Sequence, residues 1–163
     1  MQLSKLSRSE LLGVAASVVL VLALVLLDWY SLSETDPRQA GDPEAFICGV
    51  GNYECTGWET FPIMRWLLLL AAIAPPILSY IVVRGHKLSW APGELTMVAG
   101  FTAFVLIAYN GLLDTPGSQT EEIGVTKEIG YYLALLSSAG IAAAGIGRSM
   151  EEQQAVRKAP GTV

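Results

Sequence analysis

The chain carries little of what soluble enzymes use. Only 15% of its 163 residues are Asp, Glu, Lys or Arg, where a soluble domain has about 25%. There is one histidine, His86, and there are two cysteines, Cys48 and Cys55. Two thiols without a neighbouring histidine do not complete a tetrahedral metal set. No glycine-rich phosphate loop, His-Glu-x-x-His pair or Gly-x-Ser-x-Gly elbow occurs, so the motifs that hold phosphate, zinc or a serine nucleophile are missing. The basic residues are few and lie beside apolar segments, which argues against nucleic acid as a partner. No ionisable residue falls at the centre of an apolar segment, where a proton relay or ion-coupled transporter would place one. The expectation is a protein without cofactor or metal that is not an enzyme.

What the chain has instead is long apolar runs. Leu11 to Leu27, LLGVAASVVLVLALVLL, contains no charge. As a helix it can cross the roughly 30 Å hydrocarbon core of a bilayer. Three comparable segments follow, giving spans at about Leu11–Tyr30, Ile63–Val83, Leu95–Leu113 and Ile129–Ile146. Lys5 and Arg8 ahead of the first run imitate a secretory signal. The run is 17 residues, however, and DWYSLSE follows it in place of a small-residue cleavage site, so the first helix is expected to be retained. The expected fold class is all-α: one four-helix transmembrane bundle, up-down-up-down, with one longer outer loop. Residues 1–148 form this single domain and 149–163 a polar cytoplasmic tail.

The charges give an orientation. Lys5, Arg8, Arg84, Lys87, Arg148, Arg157 and Lys158 flank one side, and only Arg38, Arg65 and Lys127 the other. Seven against three places both termini in the cytoplasm of a multi-pass cell-membrane protein. The long loop is then external and acidic, with Glu34, Asp36, Asp42, Glu44, Glu54 and Glu59.

That loop holds both cysteines, with six residues between Cys48 and Cys55. On an oxidising side such a pair forms a disulfide. The sharper alternative is a redox-active pair, as in membrane thiol-disulfide oxidoreductases, although those use a closer Cys-x-x-Cys. A short hairpin from Ile47 to Trp58 would turn at Gly51-Asn52. Trp29, Tyr30 and Trp66 are expected in the outer aromatic belt and Trp90 in the inner one. Pro75-Pro76 should kink the second span. Small residues crowd the last span: Ala134, Ser138 and Ala142 on one face, Gly140 and Ala144 on another. Such spacing lets helices approach closely. Asp28, Arg65, Asn110 and Asp114 collect near the outer ends of the first three spans. They are the candidates for a shallow polar pocket, or for helix caps and an ion pair.

LLDWYSL at the exit of the first span, GWETF at the entrance to the second, YNGLLDTPGS and IGYYLALLSSAGIAAAGI together resemble a group of small four-helix membrane proteins common in actinobacteria. That resemblance implies a topology and no activity. The plan is also similar to claudin-type proteins, with four spans and a cysteine pair in the first outer loop. There a Gly-Leu-Trp precedes the cysteines, whereas here Gly57-Trp58 follows Cys55. The function expected is contact-making within the membrane, with lipid, a second copy of the chain or another membrane protein as partner. An oligomeric channel lined by the four polar residues is the alternative, and thiol-disulfide exchange a further one.

Overall fold

A computed structural model describes residues 7–32, 48, 54–84, 90–116 and 125–158, with side chains as far as 154. The described chain is mostly helical, and four of its helices are long and apolar enough to cross a membrane: Arg8–Leu26, Met64–Val83, Pro92–Leu112 and Ile129–Gln154.

Helix α1 (Arg8–Leu26) starts with a capping box. The Ser7 hydroxyl accepts from the Glu10 amide, and the Glu10 carboxylate accepts from the Ser7 amide, so two orphan donors of the first turn are satisfied. The helix stops short of the expected Tyr30. Trp29 folds back and donates its indole N–H to the Ala23 carbonyl at 2.7 Å, taking up one of the acceptors a helix C-terminus leaves free. The chain then continues extended as β1 (Asp28–Leu32).

This strand corrects the all-α expectation. β1 is the centre of a three-stranded antiparallel sheet of order β2-β1-β3, with β2 at Glu54–Thr56 and β3 at Val125–Lys127. Tyr30 sits opposite Cys55 on one side and Lys127 on the other. Strands this short cannot stand alone. They hold here because their inner side chains, Trp29, Tyr30 and Leu32, are buried against the helix ends. The strand that the expected hairpin would contain pairs with β1, and the turn assigned to that hairpin lies outside the described residues.

Helix α2 (Gly57–Thr60) is one turn, opened by a second capping box between Thr56 and Glu59. Helix α3 (Met64–Val83) passes continuously through Pro75 and Pro76, which cannot donate to the carbonyls of Ala71 and Ala72. Helix α4 (Pro92–Leu112) has Pro92 in its first turn, where the missing N–H costs nothing. Helix α5 (Ile129–Lys158) has 30 residues, about 45 Å at 1.5 Å per residue. It continues without a break past residues 148 and 149.

Helix α5 packs mainly on α4 and α1, and α3 closes the set by packing on α1 and α4. The α4–α5 contact is made by glycine. A Cβ at Gly100 would collide with the backbone of Ala142, and one at Gly145 with the backbone of Met97. At Gly93 it would come within 2.7 Å of the Ser149 nitrogen. Backbones this close exclude any larger residue.

Candidate functional site

Residues at the two ends of this helix assembly carry the polar chemistry. At the sheet end, four aromatic rings close the core. Trp29 and Tyr30 each pack on both Phe61 and Tyr131, with centroid separations of 6.1 to 6.2 Å. This corrects the assignment of Trp29 and Tyr30 to the aromatic belt: both are fully buried. Trp66 and Trp90 are exposed at 53% and 67%. Gly57 lies under the Trp29 indole, where a Cβ would be 2.5 Å from the ring, and Gly111 lies under Tyr131. Burial raises the pKa of the Tyr30 hydroxyl well above that of an ordinary phenol, with the nearby Tyr131 adding to the shift. It remains a donor, to the Asn110 carbonyl at 3.4 Å.

Cys48 and Cys55 are paired at disulfide distance, with Cα atoms 4.9 Å apart. Both are buried, and Cys55 stands in β2 opposite Tyr30. The pair therefore ties the loop to the sheet beside the aromatic cluster.

The four polar candidates are dispersed over this end. Asp28 begins β1, half-buried, across from Thr56. Arg65 is the second residue of α3, and its guanidinium lies over the rings of both Trp58 and Trp66. Asn110 donates to the Leu106 carbonyl at 2.9 Å and to the Met64 sulfur at 3.3 Å. Asp114 is exposed just past α4. Among the described residues no hydrogen bond or ion pair joins any two of them. The small residues of α5 are placed as follows. Ala134, Ser138 and Ala144 are buried, and the backbone of Ala142 underlies Gly100. A Cβ on Gly140 would be 3.3 Å from that of Ala16 on α1. One on Gly13 would be as close to Ala144.

The opposite end holds a cluster that sequence reasoning did not single out. Arg148 of α5 is 7% exposed and lies 2.9 Å from the Glu10 carboxylate. Its Nε donates to Glu152 one turn on, at 3.2 Å. Ser9 donates to Glu151 at 3.0 Å. Glu10 thus serves two ends at once, capping α1 and neutralising a buried cation on α5. Ser79 of α3 and Thr96 of α4 complete the lining of a cavity of about 10 Å³, at the lower limit for one water molecule. All four long helices meet there. The sequence held one local signal, the Ser7/Glu10 spacing of a capping box. Nothing local tied Glu10 to Arg148.

What this arrangement can do is close the assembly. Among the described residues no cluster of His, Cys, Asp or Glu is able to hold a metal ion. No protein-family model, curated protein or solved structure matches the chain.

Proposed function

We propose that this chain is an integral membrane protein whose four long helices cross the bilayer up-down-up-down as one bundle. Both termini are cytoplasmic and the sheet with its disulfide is external. It acts through contacts, with lipid, a second copy or a membrane partner, and it is not an enzyme. The observation that carries this reading is the closure of the helix assembly at both ends. Rings and a sheet fill one end, and a buried ion cluster fills the other. Between them α5 is in backbone contact with α4. The outward faces of α1, α3 and α4 keep large apolar residues exposed, such as Leu26, Leu70, Phe101 and Leu112, as a hydrocarbon surround favours.

Orientation is tested by a membrane-impermeant thiol reagent applied to intact cells after reduction. Cys48 and Cys55 should label, and labelling only after membrane rupture overturns the topology. Function is tested by reconstitution. Vesicles with the protein should conduct ions no better than empty ones. Reproducible conductance whose selectivity changes in Asp28→Asn would replace the contact reading with a channel.

A further inference from the structure

Arg65 is the second residue of α3, at the sheet end. Its guanidinium carbon lies 5.0 Å from the centre of the Trp58 ring and 5.7 Å from that of Trp66. The two indoles meet edge to face at 5.3 Å. A cation prefers this position over indole faces, so the rings fix the guanidinium in place. Its hydrogen bonding is nearly unused. A guanidinium has five N–H donors. Among the described residues only Nη1 has an acceptor, the Trp58 carbonyl at 3.2 Å. Nε is buried and has no partner among the described residues, so the donors left for a ligand are those of the two Nη atoms. The nearby Glu59 carboxylate is engaged with Thr56, in the α2 cap.

The surroundings select the acceptor. Ile63 and Leu70 are 77% and 66% exposed on the face of α3 that carries Trp66, so the site opens at the rim of an apolar surface. Ile63 gives the α3 N-terminus no side-chain cap, and the Arg65 and Trp66 amides donate to the Phe61 and Ile63 carbonyls, so the helix contributes only its positive dipole at this spot. Arginine and tryptophan at a membrane rim face the phosphate level of the adjoining leaflet. We propose that Arg65, packed against Trp58 and Trp66, holds the phosphate of a phospholipid, whose acyl chains lie along the exposed side of α3. A planar fork suits phosphate, which accepts two parallel N–H bonds from it. A free phosphate ion would bring the charge without the chains that cover Ile63 and Leu70.

This inference rests on the membrane reading, and the experiment separates the two. The full chain is first floated with liposomes; failure to insert defeats the membrane reading itself. Purified protein in detergent is then titrated with phosphatidylglycerol, and bound lipid is counted by native mass spectrometry. Arg65→Ala should weaken the tightest lipid about tenfold or more, the loss of a charge-assisted hydrogen bond. Arg65→Lys keeps the charge and loses the fork, so it should fall between. Trp66→Leu should weaken the same lipid. Millimolar inorganic phosphate should not displace it. If Arg65→Ala does not fold, Arg65→Lys and Trp66→Leu decide: wild-type affinity in both overturns the proposal. Displacement by inorganic phosphate alone overturns the lipid assignment.

Discussion

At the sheet end the helix assembly is closed by backbone pairing and aromatic rings; at the opposite end it is closed by charge. The first kind of closure is shared. Trp29, Tyr30, Phe61 and Tyr131 each touch two others of the set, and the sheet adds ladder bonds beneath them. Removing one ring leaves three. The second kind is concentrated. Glu10 is the partner that Arg148 has on α1, and both side chains are under one-tenth exposed. Burying charges is costly unless each is paired. One end should therefore weaken by degrees and the other in a single step.

The largest effect tests that step. Arg148→Ala leaves the Glu10 carboxylate buried without its cation. Breaking a buried pair from one side costs about 3–5 kcal/mol. Unfolding in detergent should show a loss of that size. The double variant Glu10→Gln, Arg148→Met removes both charges and should recover a large part of it. A loss below about 1 kcal/mol in Arg148→Ala is what a solvated surface pair gives. It would mean that this end is open to water.

The contrast also explains what the sequence disclosed. The four long helices were legible because hydrophobic run length alone signals them. The cysteine pair was legible because only two cysteines exist. The run of small residues in α5 points to close approach, but the α4–α5 backbone contacts run through Gly145 and Gly100. The counterpart on α4 is Gly93 and Gly100, which stand seven apart in the sequence, two turns along one helix face. The sheet was not legible. Its strands are three to five residues long, too short for a period to register, and β3 pairs with β1 across most of the chain. DWYSL continues an apolar run, and run length alone extends the first span through it. The Glu10–Arg148 pair was hidden for a related reason. Each residue stood at the edge of an expected span, where charge is ordinary, and only the tertiary fold joins them.

The next effect belongs to the sheet end. Cys48→Ser opens the link between the loop and β2. For a closed loop this short the entropic stabilisation is on the order of 2 to 3 kcal/mol. The melting temperature in detergent should fall while membrane insertion is unchanged. Free thiols in protein purified from an oxidising envelope would remove the link from the comparison altogether.

Packing at the two ends should respond alike even though charge does not. Gly93→Ala drives a methyl against the Ser149 backbone at one end, and Gly111→Ala drives one into the Tyr131 ring at the other. Overpacking of this kind costs about 1–3 kcal/mol. Gly140→Ala, which meets only the Ala16 side chain at 3.3 Å, should cost less than either. A neutral Gly111→Ala would mean that Tyr131 swings aside freely, and the aromatic closure would then be loose.

The smallest effect separates the ends by pH. An ordinary tyrosine loses its proton near pH 10.0, and burial holds the Tyr30 hydroxyl well above that. Between the two values the unfolded chain has released a proton that the folded chain still binds. The unfolded state then binds fewer protons, so stability falls as pH rises. The contribution is complete below pH 10.0 and declines above it by at most about 1.4 kcal/mol per pH unit for one group. Tyr30→Phe removes that proton from the balance. Its hydrogen bond to Asn110 is long, at 3.4 Å, so the variant should be nearly as stable as the wild type at neutral pH. Above pH 10.0 its stability should fall less steeply with pH. Equal slopes for the two proteins would mean that water reaches the Tyr30 hydroxyl. The ring cluster would then cover the sheet end without sealing it.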